Sequence, residues 1–285
     1  MTEALTRPSV ETMLKSLSEE EMARWRRELG ATVVCHRGRH WEMVRWGFYQ
    51  CIHWLARLKA EEATWPTARC WGFRTSLAEA DAEAANSSMP AHLNQAVDNY
   101  DLAALPSKRR NQLRSCQRQV EIVEILHPAA LVEEGHAVHL SAVQRTGFGR
   151  ALSKGEFAAL LQKEVRPELR VVLAGRINGK IGGYLTASAV NGTAYVDTVM
   201  LATEALPTNI GTGLIYELMQ ICRRSGQIRE VVYGLHSRED TALSKFKEEM
   251  GFPVTKIPAR IGTVPGMRQF IRWRSPHVHY RLFGE

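Results

Sequence analysis

Residues 168–201 read ELRVVLAGRINGKIGGYLTASAVNGTAYVDTVML, three runs rich in apolar and β-branched residues that are separated by two Asn-Gly pairs. Asn178-Gly179 and Asn191-Gly192 can each supply the two positive φ angles that a two-residue hairpin turn requires. The spacing therefore predicts three strands joined by two tight turns, which is an antiparallel meander.

The helix after the meander begins in a glycine-rich stretch. Residues 208–219 read TNIGTGLIYELM, so the first turn contains Gly211 and Gly213, and apolar residues follow at helical spacing to about Arg224. Gly226 is a typical stop signal. Glycine destabilises a helix by about 1 kcal/mol relative to alanine and offers no side-chain cap. We therefore expect the two glycines to serve a purpose other than helix formation.

A further strand and helix complete this order. Residues 230–235, EVVYGL, read as a buried strand. Ser237 can cap the next helix with Asp240 at its third position, and that helix is predicted to extend to Met250 before Gly251 ends it. The predicted order is three strands, a glycine loop, a helix, a strand and a helix.

Upstream of the meander, helix-start signals are frequent. Pro128 is placed to begin one helix, and the capping box Ser153-x-x-Glu156 begins another. Residues 9–29 are predicted to form a helix, and residues 120–126, VEIVEIL, a strand. These elements lead directly into the meander.

The chain is long enough for one large domain or two smaller ones. It has 285 residues, of which 45% are hydrophobic, so it can bury a substantial core. We expect a boundary near residue 126, with an N-terminal, acceptor-side region over residues 1–125 and a catalytic domain over residues 126–285.

Composition limits the classes of function. The acidic N-terminal segment and the absence of any run of about 18 apolar residues predict a cytoplasmic protein without a membrane span. The five cysteines are far apart and form no CxxC pair, so neither a disulfide framework nor a metal site is expected. The net charge of +7 favours a polyanionic partner such as coenzyme A, tRNA or a phosphorylated metabolite.

The glycine stretch suits an anion. A glycine-rich first turn presents backbone N–H groups at the positive end of a helix without side chains in front of them, here those of Ile210, Gly211, Thr212 and Gly213. A dinucleotide fingerprint would need a third glycine where Tyr216 stands, and the Gly-Lys-Ser/Thr of a P-loop is absent from this stretch. The alternative is that the glycines permit close packing of helix on sheet.

The order of elements and the loop together resemble the GNAT acyltransferase superfamily. Its [QR]-x-x-G-x-[GA] loop corresponds to Thr208-x-x-Gly211-x-Gly213, with Thr208 in place of Gln or Arg. The resemblance implies a fold of the α/β (α+β) class, a mixed, mostly antiparallel, splayed sheet flanked by helices, with a truncated GNAT-like N-terminal half. It also implies that the loop holds the pyrophosphate of acyl-coenzyme A and that the donor carbonyl meets the backbone near Met200 and Leu201.

The last helix of this order adds a second resemblance. Residues 246–252 read FKEEMGF, a GNAT-like F-x-E-x-x-G-F phrase in which Lys247 stands where many acetyltransferases have tyrosine. The Phe246-Lys247 pair resembles the Fem-type branch, the aminoacyl-tRNA-dependent transferases and their relatives. That resemblance implies that Lys247 stabilises negative charge at the reacting carbonyl with Phe246 beside it. The alternative is a solvated lysine like the nearby Lys245.

A basic helix precedes the strand at 120–126. Arg110, Arg114 and Arg118 lie four residues apart on one face, with Lys108 at its start, and a row of cations suits phosphate. A similar helix occurs in Fem-type proteins, which makes this face a candidate phosphate or acceptor site. The alternative is a solvated face.

A base for the acceptor amine is less evident. Asp197 shares a strand face with Tyr195 and lies three residues before Met200, so it is one candidate; the alternative is a satisfied cross-strand residue. His236, at a strand end, is another, with a structural role as the alternative. The Trp-rich segment 41–71 can stack RNA bases, form core, or line an apolar acceptor pocket.

These observations predict an N-acyltransferase that moves an acyl group from acyl-coenzyme A to an amine of a small molecule or peptide, with no tightly bound cofactor and no metal. One alternative is a Fem-like enzyme that uses aminoacyl-tRNA as donor and forms an amide bond. The other is a non-catalytic RNA-binding protein on a degenerate GNAT scaffold.

Overall fold

The computed structural model describes residues 5–284, without the side chain of His277. The strands are β1 (Thr6–Pro8), β2 (Val33–His36), β3 (Arg39–Arg45), β4 (Phe48–Cys51), β5 (Gly72–Ser76), β6 (Ser87–Asn94), β7 (Glu121–Ile125), β8 (Arg170–Ile177), β9 (Lys180–Val190), β10 (Thr193–Leu201), β11 (Glu230–Leu235) and β12 (Val254–Thr263). The α-helices are α1 (Glu19–Glu28), α2 (Ser107–Gln117), α3 (Ala129–Thr146), α4 (Lys154–Glu164), α5 (Ile210–Ser225), α6 (Thr241–Glu249), α7 (Met267–Arg274) and α8 (Pro276–Phe283). Short 3₁₀-helices lie at Ser9–Glu11, Glu79–Ala84, Val97–Asn99 and Thr203–Thr208.

The chain divides into two compact units, and each is discontinuous in sequence. The first unit comprises Met1–Ser16, Asn94–Val232 and Glu249–Gly251. The second unit comprises Leu17–Leu93, Tyr233–Glu248 and Phe252–Glu285. The boundary that the sequence suggested near residue 126 falls inside the first unit, between β7 and α3. The assignment of residues 1–125 to an acceptor side and residues 126–285 to catalysis stays a prediction.

The first unit is built on the predicted meander. Its strand order is β1-β7-β8-β9-β10, followed by the first half of β11. All of these neighbours are antiparallel except β10 and β11, which are parallel. The hairpin turns have positive φ at both central residues, 50° and 81° at Asn178 and Gly179, and 49° and 86° at Asn191 and Gly192. The two Asn-Gly signals therefore predicted the two hairpin turns and the antiparallel meander correctly.

Helices cover this sheet as the apolar spacing predicted. The α5 helix packs on β8 and β9 through fully buried side chains such as Leu214 and Leu218, and α3 packs on β9. Gly226 ends α5 with φ 63°. The capping box of Ser153 and Glu156 starts α4, with both reciprocal hydrogen bonds formed.

The second unit contains another mixed sheet, in the order β6-β12-β5-β4-β3-β2. The β12 strand is antiparallel to β5 and to β6, whereas β4 and β5 are parallel. Trp41 and Phe73 meet edge-on at 5.7 Å between ring centroids in the core of this sheet. A separate cluster of Phe48, Ile261, Ile271 and Phe283 attaches α7 and α8. Each unit thus has a mostly antiparallel mixed sheet with helices, which confirms the predicted fold class.

Two local predictions were wrong. Residues 9–29 do not form one helix, because Ser18 and Glu21 make a capping box that starts α1 at Glu19, after a 3₁₀ turn at Ser9–Glu11. Ser237 does not cap α6. Asp240 does, accepting a hydrogen bond from the Leu243 amide at 2.9 Å, while the Ser237 hydroxyl donates to Glu239.

Among the described residues, no helix combines the length and the apolar character that crossing a bilayer requires.

Candidate functional site

The glycine stretch of the first unit contains two amides without a backbone acceptor. Asn209, in the left-handed conformation at φ 59°, precedes α5, and its carbonyl accepts the amides of Thr212 at 2.9 Å and Gly213 at 3.2 Å. Within residues 5–284 the amides of Ile210 and Gly211 donate to no backbone carbonyl. Gly211 is half-buried, whereas Thr212 and Gly213 are buried. Ile210 is itself fully buried, so of the four predicted phosphate donors only the Gly211 amide is both without a carbonyl acceptor and on a half-buried residue.

Gly213 is a packing residue. A Cβ atom at this position would lie 2.5 Å from Cys116 Sγ of α2 and 3.3 Å from Ile122 Cδ1 of β7. The absence of a side chain lets α5 approach both elements. At Gly211 the nearest atom to such a Cβ is Leu201 Cδ1, at 2.9 Å, which is the end of a flexible side chain. The packing interpretation thus explains Gly213 but leaves Gly211 open to another role.

Replacing Gly213 by alanine is expected to lower the free energy of unfolding by about 2 kcal/mol, because overpacking a core costs about 1–3 kcal/mol. Adding Cys116→Ala removes the sulfur and leaves Ile122 Cδ1 at 3.3 Å and the Cys116 Cβ at 3.7 Å as the nearest atoms. Urea unfolding of both single variants and the double variant gives the coupling energy. The double variant should lose less free energy of unfolding than the sum of the losses in the two single variants. Strictly additive losses would contradict the packing role of Gly213.

The end of β10 extends beyond its parallel neighbour. The ladder between β10 and β11 ends with the pair Tyr195 and Val232, whereas β10 stays paired with β9 as far as Leu201. Met200 and Leu201 are half-buried. The Leu201 carbonyl accepts a hydrogen bond from Arg145 at 3.1 Å. This end of β10 therefore lies beside Gly211, which is the juxtaposition expected of a donor-binding strand and loop.

Thr208, the residue that departs from the GNAT loop pattern, is used locally. Its hydroxyl donates to the Ala205 carbonyl at 2.8 Å inside the 3₁₀ turn that precedes α5. Thr208 is too short to reach out as Gln or Arg would, and its hydroxyl is already used. Any phosphate contact at this position therefore depends on backbone amides.

Asp197 is paired rather than open. It lies at a bulge in β10, and its carboxylate accepts a hydrogen bond at 2.8 Å from Arg170. The Arg170 side chain is only 4% exposed, and it also donates to Thr186 at 2.7 Å and contacts Glu164. The carboxylate is therefore already engaged by a buried guanidinium. This geometry favours the structural interpretation of Asp197.

The basic helix is α2, as predicted, but its cations differ in environment. Arg110 and Arg114 donate to groups within five residues of themselves, and Lys108 and Arg118 are exposed. Arg109 is buried and pairs with Glu249 at 2.8 Å. The phosphate or acceptor role of Lys108, Arg110, Arg114 and Arg118 stays a prediction.

Lys247 is a buried cation of the second unit. Its side chain is 9% exposed, whereas that of Lys245 on the same helix is exposed. The ammonium donates to the Tyr233 carbonyl at 2.7 Å and lies 4.6 Å from the centre of the Tyr233 ring. It forms no ion pair in the part of the chain that the structure describes. The solvated-lysine alternative is therefore wrong, while Phe246 beside it is half-buried.

Burial sets the protonation of this lysine. Desolvation lowers the pKa of Lys247 from 10.5 to about 8; the negative charge of Asp240 opposes the shift, and the positive charge of Arg281 adds to it. Near neutral pH the side chain is thus an ammonium that can also release a proton. Such a perturbed group without a carboxylate in contact is typical of functional sites.

Two histidines accompany Lys247 in the second unit. His92 is 1% exposed and bonds the Phe252 carbonyl at 3.0 Å and the Ser244 hydroxyl at 3.3 Å, so both of its nitrogens are satisfied. The His236 ring lies 5.6 Å away between centroids, and its Nδ1 lies 2.6 Å from the Tyr280 hydroxyl. Within residues 5–284, Nε2 of His236 forms no hydrogen bond, and it is in contact with solvent.

Partial burial keeps His236 neutral. Partial burial lowers its pKa below the usual range; Glu248 opposes this lowering, and the cations Arg238 and Lys247 add to it. A neutral imidazole with one nitrogen held and the other open has the form of a general base. The sequence named His236 only as a lone histidine, because nothing in its spacing indicates that Tyr280, 44 residues later, supports it.

No family model and no curated protein matches the sequence. Several solved structures do match the fold of the chain. The chain is similar to the crystal structure of FemX, with a TM-score of 0.62 at 7% identity over 90% of this chain and 99% of that one. It is similar to L-PGS from Bacillus licheniformis (TM-score 0.56, 12% identity, 95% and 99% covered). It is also similar to the C-terminal domain of a lysylphosphatidylglycerol synthetase from Agrobacterium fabrum, described as putative. The TM-score is 0.54 at 12% identity, over 94% of this chain and 98% of that one. The chain therefore has the fold of the Fem-like GNAT branch, as the glycine loop and the Phe-Lys pair predicted.

Proposed function

We propose that the chain is an N-acyltransferase, in which an amine attacks the carbonyl of an activated acyl donor. Lys247 carries this proposal. An ammonium has three protons to donate, and Lys247 donates one hydrogen bond, to the Tyr233 carbonyl, within the described part of the chain. Burying a cation without a carboxylate partner is costly, so a site that retains one has a use for its charge.

The reaction supplies that use. Attack by the amine forms the C–N bond and places negative charge on the carbonyl oxygen, which the Lys247 ammonium can stabilise. As the bond from carbon to sulfur or oxygen breaks, the same ammonium can pass a proton to the leaving group, because its pKa is lowered to about 8. The proton that the amine loses goes to Nε2 of His236, which is neutral and open. Asp197, held by Arg170, has no part in this scheme.

For the donor we propose acyl-coenzyme A first. Its phosphates would be bound by the amide of Gly211, at the positive end of α5. The acceptor would be an amine of a small molecule or peptide. The second candidate donor is aminoacyl-tRNA, which the Phe246-Lys247 pair and the absence of Gln or Arg at Thr208 favour.

The donor is tested by calorimetric titration of the full chain with acetyl-coenzyme A. Gly211→Val should weaken binding at least about ten-fold, because a branched side chain then stands in front of the amide. Gly155→Val is a matched control, since Gly155 is also the second residue of its helix, α4, and has no atom within 4 Å of a Cβ. Equal affinities in both variants would remove the loop from the donor site. A dissociation constant of about 1 mM corresponds to a binding free energy of only about 4 kcal/mol. If acetyl-coenzyme A did not bind at concentrations up to about 1 mM, aminoacyl-tRNA would become the leading candidate donor.

A further inference from the structure

The C-terminal part of the second unit is strongly basic. Residues 250–284 contain six Lys or Arg and no Asp or Glu. Three of the six lie on the eight-residue helix α7, which reads MRQFIRWR. Arg281 pairs with Glu239 at 3.6 Å, and the excess of the five other cations favours a polyanionic partner.

The α7 helix buries one side and exposes aromatic rings on the other. Its Ile271 and Met267 pack with Phe48, and Trp71 joins the same cluster. On the outer side Phe270 is 54% exposed and Trp273 is 78% exposed, with ring centroids 6.3 Å apart. Large aromatic side chains at this exposure mark interaction surfaces when they lie together.

A third exposed ring lies in a turn that contacts the same apolar cluster. Trp46, in the turn between β3 and β4, is 88% exposed, and its carbonyl accepts a hydrogen bond at 2.5 Å from the Trp71 indole. The Trp71 ring in turn lies 4.8 Å from that of Phe48, in the cluster on which α7 rests. Trp71 thus connects the turn to α7. The aromatic-arginine surface is defined here as Trp46, Phe270, Arg272, Trp273 and Arg274.

The cations of this surface are available. Arg272 and Arg274 are exposed, and neither forms an ion pair among the residues that the structure describes. They flank Trp273 directly in the sequence. Exposed rings interleaved with arginines are the combination that binds single-stranded nucleic acid, because bases stack on the rings while cations neutralise the phosphates.

A membrane surface fits this region less well. An interfacial helix turns its apolar face outward, toward the lipid. The α7 helix has eight residues, its aliphatic side chains Met267 and Ile271 face the core, and its exposed aromatic residues are separated by arginines. The observations therefore favour a nucleic acid over a bilayer.

We propose that the aromatic-arginine surface binds a single-stranded segment of RNA, with bases stacked on Trp273 and Trp46 and phosphates contacted by Arg272 and Arg274. The proposal concerns binding and uses no catalytic group, and it is compatible with either candidate donor.

The test is fluorescence anisotropy of a labelled, unstructured single-stranded RNA oligonucleotide with the full chain. Trp273→Ala should weaken binding about ten-fold, as expected for the loss of one stacked base. The double variant Arg272→Ala/Arg274→Ala should reduce the slope of log K against log salt by about 1.4, since each phosphate contact contributes about 0.7. Phe148→Ala is the control, because Phe148 is 73% exposed in the first unit and should leave the affinity unchanged.

Equal RNA affinities for the wild type and Trp273→Ala would overturn the proposal, as would Trp273-dependent binding of phosphatidylserine vesicles without RNA binding. The melting temperature of Trp273→Ala should equal that of the wild type, and Trp46→Ala provides a second variant if it does not. Titration of the same variants with acetyl-coenzyme A separates the two proposals, because loss of RNA binding should leave any donor binding unaltered.

Discussion

Replacing Lys247 by methionine is expected to lower kcat by about 10²- to 10³-fold and, at the same time, to stabilise the fold. The kinetic loss follows from removing a positioned cation from a developing oxyanion. The stabilisation follows from burial, because methionine fills a similar volume without the cost of desolvating a charge. A merely structural lysine would not give opposite changes in activity and stability.

The pH dependence of stability gives this prediction a second measurement. Burial lowers the pKa of Lys247 in the folded protein to about 8 from 10.5. Between these two values the unfolded chain binds more protons than the folded one, so the free energy of unfolding rises with pH in this window. At 1.36 kcal/mol per pKa unit, the cost present below pH 8 is about 3 kcal/mol. The wild type should gain this stability between about pH 8 and 10.5, and Lys247→Met should lack the gain.

The matched control is Lys245→Met, since Lys245 is exposed on the same helix. It should alter neither kcat nor the pH dependence of urea unfolding. Unchanged turnover in Lys247→Met would remove the catalytic role of the ammonium. Identical pH dependence in wild type and Lys247→Met would show that this lysine titrates as an exposed one.

Replacing His236 by glutamine is expected to lower kcat/KM for the acceptor amine by about 10²-fold, the lower end of general-base contributions. The groups that act on its charge are Glu248, Glu239, Arg238 and Lys247, while the neighbouring His92 and Tyr280 are its ring contacts. Because its pKa is lowered, wild-type activity should fall only below the usual histidine range as the imidazole becomes protonated. The variant should lose this acid limb of the pH-rate profile.

Tyr280→Phe separates positioning from catalysis. It removes the hydroxyl that holds Nδ1 of His236 and keeps the ring that Arg238 covers at 3.8 Å. We expect a loss of about ten-fold in kcat/KM with the acid limb retained, because a loosely held imidazole is still a base. If His236→Gln kept both its rate and its acid limb, an amine that reacts without a protein base would be the better description.

The turns and caps of the first unit were readable from sequence because their signals are local. Asn-Gly pairs fix both φ angles of a hairpin, and Gly226 ends α5, whatever surrounds them. The Lys247 site was readable only as a resemblance. Apolar spacing on α6 suggests that Leu243 and Phe246 face inward, yet Leu243 is 42% exposed, and Ser244 and Lys247 are buried instead. A helix normally buries its apolar face, and α6 buries part of its polar face instead. Departures of this kind are expected at functional sites.

The rest depended on contacts between distant parts of the chain. Nothing near Gly213 in the sequence indicates Cys116, and nothing near Asp197 indicates that Arg170 neutralises it. The exposed Trp46 and the buried Trp41 lie five residues apart in one tryptophan-rich segment, and composition alone cannot separate them. Their exposures differ because Trp41 lies on a strand and faces the sheet core, whereas Trp46 lies in a turn.

The discontinuity of the second unit has a consequence for biosynthesis. The β6 strand, which ends at Asn94, and β5 both pair with β12, which begins at Val254. At a translation rate of about 5–20 residues per second, the strand that completes these ladders leaves the ribosome roughly 10 to 30 seconds after β6. During that interval β5 and β6 present unpaired edges, which other chains can join. Delayed pairing therefore makes nascent chains of this protein natural clients for chaperones until β12 has been synthesised.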